Sequence, residues 1–328
     1  MTKILLCTVL LLSAPYAGRA SDDLSDKSQT KARARTFLFT YSASVTDLKP
    51  GAKARIWLPL PPSNSEQKVT IESKELPGEP KIGKDLEYGN QILYTEAEAG
   101  KDGTIPLKIV YRVTRREVRG SKGGITEDEK LIARYLGPDA LVPVGGKSLE
   151  LIKDRKVPEN QVAAARVFYD AVNSHMRYSK EGTGWGRGDS EWACDSKFGN
   201  CSDFHSLFIS LSRSRKIPAK FEIGFPLPAK HGSGDIPAYH CWAWYKPEGK
   251  GWTPVDISEA NKAKDEKMTE YFFGNLTENR VAFSTGRDIK LTPKQSGKPL
   301  NFFIYPYVEV DDKAYEKVQL KFSFEDVN

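Results

Sequence analysis

Cys201, His240 and Asp256 occur in that order within two short contexts whose residue types suit nucleophilic acyl transfer. The first, Gly199-Asn200-Cys201-Ser202-Asp203-Phe204, opens a stretch of helical periodicity. The second runs Tyr239-His240-Cys241-Trp242-Ala243-Trp244 and continues at Gly251-Trp252-Thr253-Pro254-Val255-Asp256. A thiol is a weak nucleophile until it ionises. A helix N-terminus, with its free N–H groups and positive dipole end, lowers a cysteine pKa from ~8.5 to ~3.5–7.5. The Cys201 N–H, lacking an intrahelical acceptor, can also donate to an oxyanion. Gly199 permits close approach of backbone or substrate. His240 and Asp256 fall on neighbouring strands of a predicted hairpin, where cross-strand Cβ atoms lie ~4.5–5.5 Å apart. The carboxylate can then fix the imidazole tautomer and stabilise the imidazolium. Side chains alternate along a strand, so Trp242 shares the face of His240 and Cys241 is expected to point away.

Each of these residues taken singly has a plainer reading: a buried cysteine as a small hydrophobe, a strand histidine as a satisfied core group, an aspartate as a turn residue. The ordered conjunction is what points to chemistry. His205 lies four residues after Cys201, on the same helix face. It reads as a polar residue lining the cleft behind the nucleophile, with an alternative base or a substrate contact as the other reading. A metal centre would draw on Cys194, Cys201, His205, His240 and Cys241, but there is no short Cys-x-x-Cys pair, so no metal and no cofactor is expected.

The elements that must hold these side chains are legible from periodicity. Val162, Ala165, Phe168, Val172 and Met176 fall on one face of a predicted helix, with Pro158 in its first turn. The helix opened by Cys201 carries Phe204, Leu207, Phe208 and Leu211 on a single inward face, has Arg213, Arg215 and Lys216 near its end, and stops at Ile217-Pro218. Segments 221–225, 241–245 and 252–255 read as strands, with a turn at 247–251. Earlier runs at 36–45, 54–58, 69–72, 91–95 and 105–113 suggest a small β-sandwich over residues 33–120, and 115–124 reads as a linker. The core is placed at 130–328, with a C-terminal β extension at 302–310 and 318–324. Gly182–Gly188 follows a helix instead of a strand, which argues against a phosphate loop and for a flexible loop rimming a cleft.

The first 20 residues, with Lys3, the apolar run Ile4–Leu12 and small residues up to Ala20, form a signal-peptide pattern too short to span a membrane. Export to the periplasm or the medium is therefore expected. The chain has 328 residues, 39% of them hydrophobic, which is enough for a large core. Its formal charge of +6 falls to +4 without Lys3 and Arg19. Both signs are interspersed, which argues against a nucleic-acid partner. After cleavage Cys194, Cys201 and Cys241 remain. With Cys201 required free, Cys194–Cys241 is the intrachain disulfide compatible with activity.

Residues 192–260 resemble the transglutaminase-like superfamily. The motifs that carry the resemblance are Gly199-Asn200-Cys201, Ile217-Pro218-Ala219, His240-Cys241-Trp242 and Trp252-Thr253-Pro254-Val255-Asp256, in the family's order. It implies a papain-like α+β core, a Cys-bearing helix packed on an antiparallel sheet, with Cys201 as nucleophile, His240 as base and Asp256 as orienter. Trp192 or Trp185 would correspond to the indole N–H donor of the crosslinking enzymes. The position of His205 is usually small in that family. No Asp-rich calcium loop is present. The resulting expectation is an exported thiol amidase or peptidase acting on protein or peptide, cell-wall peptide included, with a crosslinking transamidase as one alternative and a catalytically silent scaffold as the other.

Overall fold

A computed structural model describes residues 32–120 and 128–327, and the predicted signal peptide lies outside them. Helix α4, Cys201–Ser214, is the element on which the site depends. Asn200 caps it, accepting from the Ser202 N–H, while the Asp203 carboxylate accepts from the Asn200 N–H in a reciprocal capping box. Periodicity predicted one inward face, yet every residue from Cys201 to Arg213 is buried. The second face is covered because it carries serines small enough for close packing. Ser210 Oγ reaches the Pro143 carbonyl at 2.6 Å and shares a 2.9 Å hydrogen bond with Ser148 Oγ.

Five further α-helices accompany α4 among the described residues: α1 Glu129–Leu136, α2 Gln161–His175, α3 Ser190–Ser196, α5 Ile257–Ala263 and α6 Glu266–Phe272. The helix predicted around 158–176 is α2. It starts at Gln161 because the Asn160 side chain accepts from the Val162 and Ala163 N–H groups, which leaves Pro158 outside. The short helices α1, α3, α5 and α6 have Asp128, Asp189, Asp256 and Asp265 as N-caps. Their seven or eight residues are too few to show a period, and sequence reading missed all four.

Behind α4 lies an antiparallel sheet in the order Thr253–Val255, His240–Tyr245, Ala219–Pro226, Arg280–Thr285. Ala243 opposes Val255, so the predicted hairpin is present, and pairing ends at Val255. Gly224 opposes His240. The ladder to the outer strand shifts at Ile223/Gly224, and a Cβ on Gly224 would stand 1.8 Å from the Val281 carbonyl oxygen. A mixed α+β core with a Cys-bearing helix on an antiparallel sheet is thus observed.

The N-terminal strands form two five-stranded sheets that recruit C-terminal strands. One runs Ser233–Ile236, Val318–Asp326, Ala34–Val45, Ile105–Arg116, Gln67–Glu75. The other runs Lys313–Ala314, Tyr307–Val310, Lys53–Leu60, Gln91–Glu98, Lys81–Lys84. The C-terminal β-runs, expected to extend the core, pair with residues 34–45 and 53–60 instead, a long-range choice that local periodicity does not encode. Residues 302–306 are not strand. The predicted linker begins inside a strand, with Arg115 fully buried.

One apolar core joins these layers. Phe39, Phe225, Phe283 and Phe322 come from four different strands, and the Phe225 centroid lies 5.0, 5.3 and 4.4 Å from those of Phe39, Phe283 and Phe322.

Candidate active site

Cys201 is the first residue of α4, at the positive end of the helix dipole. Gly199 is needed for a different approach from the one expected. A Cβ there would sit 2.4 Å from the Asp203 carboxylate, so the glycine makes room for the capping box.

His240 opens the central strand, and its Nε2 is 2.8 Å from Asp256 Oδ2. That leaves Nδ1 for the thiol. Hydrogen bonding and the charge of His240 overcome the desolvation of Cys201 and hold its pKa well below the ordinary thiol value. Burial opposes charge on His240 too, but Asp256 and the Cys201 sulfur more than offset it, raising the imidazole to about 10. The pair therefore stands as thiolate and imidazolium. Cys201 and His240 are only 2% and 4% exposed, so the ion pair is shielded from water.

Asp256 is the most heavily tied carboxylate of the site. Oδ2 accepts from His240 and, at 3.0 Å, from Arg280 Nη1. Oδ1 accepts at 3.2 Å from both Ser258 Oγ and the Glu259 N–H, which makes Asp256 the N-cap of α5. Despite full burial, His240 and Arg280 keep it far below the usual carboxylate range. Arg280 is itself buried, with its guanidinium 4.7 Å from the Trp242 ring centroid. No sequence motif marked Arg280, which starts a strand 24 residues beyond the carboxylate.

His205 is engaged at both nitrogens. Nε2 accepts from the Ile257 N–H at 3.1 Å, so Nδ1 carries the proton and donates to the Cys201 carbonyl at 2.8 Å. Burial keeps it neutral, with its pKa lowered. It joins the first turn of α4 to the start of α5 and has no free nitrogen with which to act as a base.

The disulfide that the cysteine count left open does not form, and one expectation about Cys241 needs correction. Cys194, Cys201 and Cys241 are all free thiols. Cys194 Sγ donates to the Lys147 carbonyl at 3.3 Å, away from Cys241. Cys241 does not point away from the site. Its sulfur lies 3.7 Å from Ser202 Oγ and 3.9 Å from His205 Nδ1, on the first turn of α4 that Cys201 opens. The strand face that carries Cys241 is one that packs on α4, which sets its thiol against Ser202 and His205.

The tryptophans have other partners. Trp185 Nε1 donates to the Gly182 carbonyl at 3.1 Å. Trp242 is fully buried, and its Nε1 donates to Glu222 Oε2 at 2.6 Å, which also accepts from Trp244 at 3.0 Å. Trp192 packs on Phe198 with centroids 5.4 Å apart and lies under Gly184. The Gly182–Gly188 loop is anchored from both sides. Asp203 accepts from the Gly186 and Gly188 N–H groups at 2.7 and 2.9 Å, while Arg287 donates to the Gly188 and Arg187 carbonyls at 2.7 and 2.8 Å. Tyr239, just before His240, hydrogen-bonds Asn200 Nδ2 at 3.1 Å and so ties this strand to the cap of α4.

His240, Asp256 and Glu259 bring ligand atoms within 4.8 Å of one another. Arg280 on Asp256 and Lys262 on Glu259 already compensate both carboxylates, so this donor set suits an ion-pair network better than a cation.

Comparison with known proteins bears on the core that carries these residues. Residues 151–257 match the model of the Transglutaminase-like superfamily, so the chain contains a transglutaminase-like core. An uncharacterized protein from Haemophilus influenzae is 26% identical over 321 residues, covering 86% of this chain and 87% of its own. The crystal structure of a proposed cysteine protease from Cytophaga hutchinsonii superposes with a TM-score of 0.57 at 13% identity, covering 90% of this chain and 93% of that one, and so shares the fold. Among the described residues no helix is long and apolar enough to cross a membrane.

Proposed function

We propose that this chain is an exported thiol hydrolase of amide or peptide bonds that works through an acyl-enzyme. The observation that carries the reading is His240 bonded at 2.8 Å to Asp256 while it polarises a helix-start thiol. The Cys201 thiolate attacks the substrate carbonyl carbon, and the oxyanion forms beside the Cys201 N–H. The His240 imidazolium gives its proton to the leaving amine as the C–N bond breaks. Neutral His240 then takes a proton from water, which attacks the thioester and releases the acid and the Cys201 thiolate. Asp256 keeps the imidazole oriented throughout. The fold shared with a proposed cysteine protease supports hydrolysis, as does chemistry: water needs no second binding site, whereas transamidation must bind an amine and exclude water.

The test compares wild type with Cys201→Ala on protein and cell-wall peptide substrates, with and without a primary amine. Cys201-dependent release of new termini supports hydrolysis. Ammonia release with amine incorporation replaces it with transamidation. The 2% exposure of Cys201 favours a second reading, a silent scaffold. Failure of Cys201 to react with iodoacetamide at neutral pH would select that reading.

A further inference from the structure

Acyl transfer leaves Cys241 without a task, although it stands in the same site. Its sulfur packs on the first turn of α4, the turn that Cys201 opens, bounded by Ser202 Oγ at 3.7 Å and by His205 Nδ1 at 3.9 Å, which itself donates to the Cys201 carbonyl. Both thiols are buried and free, on two elements that pack against each other. The third cysteine of the described residues is committed to the Lys147 carbonyl. A thiolate with a second thiol against it is the arrangement in which oxidation of the first sulfur is resolved by the second. We propose that Cys201 and Cys241 form a two-thiol oxidation site, at which a hydroperoxide oxidises Cys201 and Cys241 closes a reversible disulfide upon it.

The steps balance. The Cys201 thiolate attacks one peroxide oxygen and the O–O bond breaks, giving Cys201 sulfenic acid and a hydroxide or alkoxide that takes up a proton. The Cys241 sulfur then forms the S–S bond as the Cys201 S–O bond breaks, and the hydroxyl leaves with the Cys241 proton as water. The two thiols lose two electrons and the hydroperoxide gains them. The disulfide occupies the nucleophile, so the oxidised protein is inactive until a thiol reductant restores it, and Cys241 spares Cys201 from irreversible sulfinic and sulfonic acids.

The experiment treats the full chain with hydrogen peroxide, blocks free thiols with iodoacetamide, and maps peptides by mass without reduction. The expected product is a linked pair of Cys201 and Cys241 peptides, two hydrogens lighter than the separate peptides. Labelling of Cys201 should be lost and should return after reduction. In Cys241→Ser, Cys201 should instead accumulate sulfinic and sulfonic acids, with recovery after reduction below about a tenth of the starting level. Cys194→Ser should behave as wild type. A free Cys241 peptide beside over-oxidised Cys201 in wild type would overturn the proposal, as would full recovery in Cys241→Ser. The proposal stands apart from the acyl-transfer reading. Untreated Cys201 that fails to label refutes that reading, whereas Cys201 that labels yet never links to Cys241 refutes only the oxidation site.

Discussion

The electrostatics of the site turn on who holds which proton. Cys201 and His240 stand as an ion pair, so the thiolate persists below the pH at which an ordinary cysteine is protonated. Alkylation of Cys201 by iodoacetamide should therefore stay nearly flat from pH 8 down to pH 6. In His240→Ala the rate should follow a thiol titrating near ~8.5 and be about tenfold slower at pH 6, since lost thiolate is partly offset by higher intrinsic nucleophilicity. His205→Ala removes two hydrogen bonds that join backbone segments but no base, so it should lower stability and keep the flat profile. A thiol-like profile in His205→Ala and a flat one in His240→Ala would reverse the two assignments. Arg280→Gln leaves buried Asp256 short of one of its two cationic partners and should cost ~3–5 kcal/mol of stability, read from urea unfolding.

Single elements serve several purposes at once. Asp203 completes the capping box of α4 and holds the Gly182–Gly188 loop through two N–H groups. Asp203→Asn can present one acceptor oxygen instead of two, which should cost ~0.5–2 kcal/mol. Burial outweighs the three N–H donors and lifts this carboxyl to about 6. The native state therefore holds a proton that the unfolded chain releases near the ordinary aspartate value. Stability from this group is present at the acid end and falls as pH rises from about 4 through 6. Unfolding free energies of wild type and Asp203→Asn over that window should differ in slope, with the variant flatter. Parallel slopes would refute the linkage. Asp256 has the opposite sign: its depressed pKa contributes stability at neutral pH that is lost on acidification.

At the scale of the whole molecule, stability depends on strands distant in sequence. Phe225, on the sheet that carries His240, packs against Phe39 from the N-terminus and Phe322 from the C-terminus. Phe225→Ala should cost ~3–5 kcal/mol and lower one cooperative transition. If the N-terminal sheets unfolded separately from the site, two transitions would appear, and iodoacetamide labelling of Cys201 would survive the first.

The sequence by itself determined the local pieces: a capped helix opening on Cys201, a hairpin bringing His240 to Asp256, and the alternation of the strands at 34–45 and 105–116. These features are legible because capping, turns and side-chain periodicity act over a few residues. Tertiary structure decided the rest. It brought Arg280 onto Asp256, turned Cys241 towards Cys201, occupied both nitrogens of His205, and paired the C-terminal strands with the N-terminal ones. Each of these outcomes comes from packing between segments far apart in the chain. A buried charge or thiol takes whichever partner the fold delivers, and no local spacing records that choice.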